Sequence, residues 1–115
     1  MSTKITQALN CSGASSDIQV GVIGLIIELT LQERGSILDV SSATTKQIVF
    51  KKPDNSKVTV DAVFTTDGKD GKIQYTTGSI TIIDHAGTWQ TQGYISVAGF
   101  TGYSTVSEFV VNDNL

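Results

Sequence analysis

Apolar and polar residues alternate along most of the chain, in short runs that predict β-strands with one buried and one solvated face. In residues 25–31, leucine or isoleucine occupies every second position, whereas Glu28 and Thr30 point the other way. Residues 88–97 alternate over a longer distance and begin their inner face with Trp89. Because no segment keeps a helical spacing of apolar positions, the pattern predicts an all-β protein.

The remaining strands are predicted from shorter runs of the same kind. They are residues 17–22, 37–40, 46–52, 57–65, 72–77, 79–84 and 103–111. The turn PDNS at 53–56 predicts that the two runs flanking it form a hairpin. Turn residues recur about every 8–12 positions, which is typical of a sandwich or a barrel. We therefore predict an immunoglobulin-like antiparallel β-sandwich of about seven to eight strands.

The chain divides into two predicted parts, a flexible N-terminal arm at residues 1–16 and the sandwich domain at residues 17–115. Residues 10–16 are small and polar, so the arm is expected either to fray or to order against a neighbouring subunit. The most apolar run, residues 20–27, is far shorter than the roughly 20 residues that a membrane helix needs. We therefore expect no membrane insertion.

Residues 84–89, DHAGTW, have the spacing of a corner by which immunoglobulin-like domains cross between their two sheets. In such a corner Asp84 caps the turn, Gly87 permits the bend and Trp89 starts the next strand. Large aromatic rings dominate small cores, so we expect Trp89 to anchor the core.

Composition excludes several function classes. Charged residues make up 17% of the 115 residues, below the roughly 25% of average domains. Valine, isoleucine and threonine supply 38 residues, and these β-branched side chains favour strands. The net charge of −3 and the pI of about 4.8 argue against nucleic-acid binding. One Cys and one His cannot build a four-ligand zinc site or an intrachain disulfide.

No constellation of catalytic residues emerges, and we predict no catalytic, metal-binding or cofactor-binding residue. Asp84 and His85 are adjacent, so their side chains are expected to point apart, and no G-x-S-x-G turn presents a serine. Cys11 lies in the predicted arm, where the geometry of a Cys–His pair would not be held. Residues 67–71, DGKDG, are expected to form a hairpin turn rather than a calcium loop. The two glycines of residues 21–24 are expected to allow a bulge or close backbone packing.

The remaining candidate residues are exposed ones. Tyr94 shares the outer face of its strand with Gln90 and Gln92, and Phe100 and Tyr103 flank the following loop. Patches of tyrosine and glutamine bind sugars or proteins through stacking and hydrogen bonds, although a solvated sheet face has the same composition.

Val49 and Val63 also fall on predicted outer faces. Apolar side chains on the solvated side favour a second buried surface, as in an oligomer. The predicted interface residues are Val20, Gly21, Val22, Ile23, Gly24, Tyr94, Phe100 and Tyr103.

Six short segments follow one another in a recognisable order and spacing. They are DIQVG (17–21), LIIELTL (25–31), DVSSAT (39–44), FKKPD (50–54), DGKIQY (70–75) and AGTW (86–89). Through them, residues 17 to about 113 resemble the N-terminal domain family of phage baseplate upper proteins.

This resemblance implies an immunoglobulin-like domain in a tail, baseplate, neck or fibre assembly of a tailed phage. The family's domain docks onto the particle and carries a receptor-binding part. This chain has no C-terminal extension for such a part, so we expect a free-standing virion component assembled in the host bacterial cytoplasm. The implied partners are further copies of the chain in a symmetric homo-oligomer and other tail, baseplate or neck proteins, without a cofactor.

An alternative function is a carbohydrate-binding or adhesin-like module. It predicts that a host-surface glycan stacks on Trp89, Tyr94, Phe100 or Tyr103.

Overall fold

The structure is a computed structural model and describes residues 5–12, 18–33, 36–78, 83–97 and 100–113. These residues contain ten strands and no helix. The strands are β1 (Ile5–Ser12), β2 (Ile18–Gln19), β3 (Ile26–Glu33), β4 (Ser36–Ile37), β5 (Thr45–Lys51), β6 (Lys57–Asp61), β7 (Val63–Phe64), β8 (Lys72–Thr76), β9 (Gly87–Val97) and β10 (Phe100–Asn112).

The strands form two five-stranded sheets that pack as a sandwich. The first sheet has the order β1-β3-β8-β7, and β4 also pairs with β3; the second has the order β2-β10-β9-β5-β6. All pairs are antiparallel except that of β2 with β10. The prediction of an all-β sandwich is confirmed, and its arrangement is compatible with an immunoglobulin-like fold.

The inner faces of both sheets are the ones that the alternation predicts. Leu25, Ile27, Leu29 and Leu31 are at most 1% exposed. Phe50 and Trp89 from the opposite sheet are fully buried, and their ring centroids lie 6.4 Å apart in an edge-to-face contact. Phe109 stacks on Trp89 at 5.9 Å and meets Phe50 edge-to-face at 6.4 Å, so the three rings form one cluster. Trp89 is therefore a core anchor, as predicted.

The prediction of a flexible arm is wrong for residues 5–12. They form β1, which pairs with the whole of β3 from Ile5 opposite Glu33 to Ser12 opposite Ile26. A central strand such as β3 needs hydrogen-bond partners for its backbone on both sides, and a weakly patterned segment can supply them. The sandwich domain therefore begins upstream of the predicted boundary.

The predicted strand at 57–65 is two strands in different sheets. β6 ends at Asp61, and the chain crosses at the buried Ala62 to β7, whose Val63 pairs with Gln74 of β8. The backbone N–H of Ala62 still donates to Lys46 O at 3.0 Å, so the crossing occurs directly after the last ladder bond. The predicted hairpin of β5 with β6 is confirmed.

Two short predicted strands have other boundaries, and a third lies mostly outside the described residues. The run at 17–22 shortens to β2, and the run at 37–40 gives the two-residue β4. Of the predicted strand at 79–84, only Ile83 and Asp84 belong to the described residues. Residues 67–71 lie in the hairpin connection between β7 and β8, as predicted.

Candidate interaction surface

A β-bulge in β10 decides which of its side chains point away from the core. Tyr103 pairs with Tyr94 and Val106 pairs with Gln92, so two residues of β10 lie opposite the single residue Gly93 of β9. The Gly93 N–H donates to Ser104 Oγ at 2.9 Å, and Gln92 Nε2 donates to Ser104 O at 2.8 Å. The bulge therefore lets Tyr103 and Val106 share the outer face although they are three residues apart.

We use the name outer face for the solvent-facing side of the sheet that contains β9 and β10. Its side chains are Val49, Lys51, Lys57, Gln90, Gln92, Tyr94, Tyr103, Val106, Glu108 and Val110. Tyr103, Val106 and Val110 are 57%, 51% and 57% exposed. They supply three of the six large apolar side chains that are exposed in the described residues.

The sequence predicts Tyr94 and Tyr103 as candidates, and the structure brings them together. They lie directly opposite each other on β9 and β10, and their ring centroids are 4.8 Å apart with the planes tilted by 52°. Such a pair presents a broad aromatic area with two hydroxyl groups. Phe100 belongs to β10, but its side chain lies outside the described residues.

The exposure of Val106 and Val110 is not predicted by the sequence pattern. Strict alternation from Tyr103 would point them inward, because both lie an odd number of residues beyond it. The bulge reverses the alternation, and it depends on the pairing with β9 rather than on a local pattern.

A shallow depression of about 200 Å³ lies in the outer face beside Val106. Its lining also includes Val49, the amide side chains of Gln90 and Gln92, and the side chains of Lys51 and Lys57. The two lysines lie directly opposite each other on β5 and β6. Glu108, which lies opposite Gln90 on β10, accepts a hydrogen bond from Gln90 Nε2 at 3.2 Å.

The segment at 20–24 lies at the other end of β10. Val20 N donates to Asn112 O at 3.1 Å, nine positions beyond Tyr103, which is about 30 Å along a strand. Val20 and Val22 are half-buried and pack against the core, whereas Ile23 is 58% exposed. The structure therefore does not bring this segment together with the tyrosine pair.

The two glycines of this segment are needed for backbone conformation. Gly21 and Gly24 have φ of +87° and +85°, and an added Cβ would meet nothing within 4 Å at either position. They turn the chain between β2 and β3, and the expectation of close packing or a bulge is wrong at both.

The corner at Asp84 leads into β9 and is held by polar contacts. Lys52 Nζ lies 2.9 and 3.0 Å from the two carboxylate oxygens of Asp84. Trp89 Nε1 donates to His85 O at 2.8 Å, which fixes the buried ring to the corner. Gly87, with φ of +128°, passes so close to Pro53 that an added Cβ would lie 2.9 Å from Pro53 Cγ. The positive φ of Gly87 and the burial of Trp89 agree with their predicted roles, whereas the contacts of Asp84 are with the Lys52 and His85 side chains, so its role as a turn cap stays a prediction.

The expectation that Asp84 and His85 point apart is wrong. His85 Nδ1 lies 2.7 Å from Asp84 Oδ1, because the backbone at the corner is bent and the alternation of an extended strand does not apply. His85 Nε2 lies 3.3 Å from Asp54 Oδ2. Both ring nitrogens therefore face carboxylates.

Hydrogen bonds hold the carboxylates of this corner in their charged form. Burial acts to raise the pKa of Asp84, but the hydrogen bonds and charges of Lys52 and His85 outweigh it, so the pKa lies below 3.8. The Ser56 hydroxyl and backbone N–H bind Asp54 at 2.6 and 2.9 Å and lower the pKa of that carboxyl as well.

Trp89 is fully buried, so it is excluded from the predicted sugar-stacking platform. Among the described residues, no three His, Cys, Asp or Glu side chains are grouped to hold a metal ion. The same residues include no helix with the length and apolar character needed to cross a membrane. The chain matches no protein-family model, and a search of curated proteins gave no match.

Proposed function

We propose that the chain is a non-enzymatic structural component of a tailed-phage virion that acts through protein–protein assembly. The observation that carries the assembly role is the row of exposed apolar side chains on β10: Tyr103, Val106 and Val110. Residues 17 to about 113 resemble the N-terminal domain of baseplate upper proteins, and this resemblance supports the assignment to a virion. Within the virion, the protein would belong to the baseplate, to the neck or to the site where fibres attach.

The chemistry of the outer face suits a protein partner. Covering apolar surface is favourable by about 25 cal/mol per Å², and tyrosine is enriched at protein interfaces. The amide groups of Gln90 and Gln92 line the depression and offer hydrogen bonds to a partner's backbone. The surface therefore combines an apolar strip with adaptable polar groups, as interfaces commonly do.

Quantitative mass spectrometry of purified phage particles tests the virion role. We expect the protein in particles of the phage whose genome encodes it, at a fixed copy number relative to the tail proteins. Particles that are infectious and contain none of it would overturn the virion role.

A second candidate function is carbohydrate binding. The observation that favours it is the Tyr94–Tyr103 pair, because exposed aromatic rings stack on sugar rings. The test is a glycan array probed with the protein and with Tyr103→Ala. Binding of a glycan that is lost in Tyr103→Ala would favour carbohydrate binding. If the protein binds no glycan on the array, this function is excluded.

A further inference from the structure

β6 (Lys57–Asp61) is the last strand of its sheet, and no strand of the described residues pairs with its outer edge. Lys52 N donates to Ser56 O at 2.8 Å and Ala62 N to Lys46 O at 3.0 Å, which fixes the alternation of the ladder with β5. The backbone groups of Val58 and Val60 point to β5. Those of the residues between and beside them, at 57, 59 and 61, point away from the sheet and offer donors and acceptors to another strand.

The side chains of β6 follow the same alternation. Lys57, Thr59 and Asp61 are exposed, and Val58 and Val60 are half-buried at the edge of the core. The sequence KVTVD is therefore complementary to itself when read in the opposite direction. A positive charge begins it, a negative charge ends it, and threonine stands at the centre.

We propose that two copies of this chain pair through β6 in an antiparallel arrangement with a two-fold axis at Thr59. This inference rests on the proposed assembly role and deepens it by naming the edge and the partner. Lys57 then lies opposite Asp61 of the partner subunit, and Val58 lies opposite Val60 of the partner subunit. The backbone N–H of each of the three outward-facing residues donates a hydrogen bond to the partner subunit, and its C=O accepts one. The two sheets thereby become one continuous sheet.

The charges select this register over its neighbours. A parallel alignment in register places Lys57 beside Lys57 of the partner subunit. An antiparallel shift by two residues leaves both charges without an opposite charge across the strand. Opposite charges stabilise directly opposed positions of an antiparallel pair and like charges destabilise them. Pairing at Thr59 is thus the alignment in which every charge of β6 is matched.

The isolated subunit has a like-charge contact that this dimer relieves. Lys57 lies directly opposite Lys51 of β5, and Asp61 lies opposite Gln47, whose Nε2 donates to it at 3.3 Å. Within the described residues, neither Lys51 nor Lys57 has a carboxylate within ion-pair distance. The dimer brings Asp61 of the partner subunit to the other side of Lys57.

Sedimentation velocity of the full chain over a concentration series tests the proposal. We expect a monomer–dimer equilibrium for the natural sequence. Thr59→Pro removes an N–H that faces outward, so it leaves the ladder with β5 intact and should abolish the dimer. Thr59→Val is the matched control, because it keeps the N–H and the strand propensity and should keep the dimer.

A charge exchange tests the register. Lys57→Asp places Asp opposite Asp in a pair of identical chains, and Asp61→Lys places Lys opposite Lys. Each variant alone should dimerise at least about tenfold more weakly. An equimolar mixture of the two variants should recover the dimer, since opposite charges then face each other at both positions. Thermal melting of each variant confirms that the subunit itself folds.

Two results would overturn the β6 dimer. The first is that the natural chain stays monomeric throughout the concentration series. The second is that a dimer persists in Thr59→Pro and in both charge variants, because such a dimer must use a different surface. Neither result bears on the presence of the protein in phage particles, which tests the proposed function separately.

Discussion

The backbone N–H of Gly93 donates to the Ser104 hydroxyl over 2.9 Å, at a place where a regular antiparallel ladder would supply a carbonyl oxygen. Ser104 is 6% exposed, and its own hydroxyl donates to Thr105 O at 2.9 Å. The side chain thus completes the hydrogen bonding of a bulge that the backbone alone leaves incomplete.

Ser104→Ala should lower the free energy of unfolding by about 1–3 kcal/mol, because the buried Gly93 N–H loses its acceptor. Denaturant unfolding followed by the fluorescence of Trp89 measures the change. Ser107→Ala, on the same strand and half-buried, is the control and should cost less. Equal stability of the two variants would show that the Ser104 hydroxyl does not support the bulge.

Gly71→Ala should destabilise the fold by more than about 2 kcal/mol. Its φ is +74°, and an added Cβ would lie 2.6 Å from Leu31 O and 2.9 Å from Leu38 O, both of them backbone atoms. Gly24→Ala has a similar φ of +85° in open space and should cost about 1–2 kcal/mol. Gly78→Ala meets nothing within 4 Å, has no positive φ, and is the unstrained control. Thermal melting should rank the losses in that order, and any other order contradicts the packing described at Gly71.

The stability of the fold should decrease in acid partly through Asp84. Its pKa in the folded protein lies below the 3.8 of the unfolded chain, so the unfolded state binds the proton first. The stabilisation is therefore present above about pH 3.8 and is lost as the pH falls through the lower folded value. Asp84→Asn should flatten the acid part of a plot of the free energy of unfolding against pH. An unchanged slope would show that Asp84 is not held in its charged form.

The Lys52–Asp84 ion pair should contribute less than about 1 kcal/mol, because about a third of the Asp84 side chain is in water. A double-mutant cycle of Asp84→Asn and Lys52→Met measures the coupling by denaturant unfolding. A coupling of several kcal/mol would mean that the corner is far more shielded than its exposure indicates.

Val106→Lys together with Val110→Lys should abolish binding of the protein to its virion partner without unfolding it. Both side chains are more than half exposed, so the change in stability should stay within about 0.5 kcal/mol per site. Incorporation of the tagged variant into particles, measured by mass spectrometry, is the readout. Ile37→Lys, at a 50% exposed site of the other sheet, is the control and should incorporate normally. Normal incorporation of the double variant would exclude the outer face as the docking surface.

The alternation of side chains predicts the inner faces of β3, β5 and β9 from the sequence, because a period of two is a local property of an extended strand. It also predicts that Trp89 is buried and that Tyr94 is on the outside. β1 instead pairs with β3 through backbone groups, and the side-chain pattern of residues 5–12 does not reveal this pairing.

Features that depend on strand register or on the course of the folded backbone are not predicted. The bulge at Ser104 requires the register between β10 and β9, and the crossing at Ala62 requires two sheets to be present. The Asp84–His85 contact requires a bent backbone that the sequence pattern does not specify. The matched charges of β6 are visible in the sequence, but their significance appears only once β6 is known to be an edge.

The parallel pair of β2 with β10 affects how the protein is made. Ile18 and Gln19 pair with Val111 and Asn112, so a segment synthesised early has its partner only among the last residues of β10. A nascent chain on the ribosome cannot complete this edge until Asn112 has left the exit tunnel. A chaperone that binds the nascent chain before that point would therefore meet an unfinished sheet.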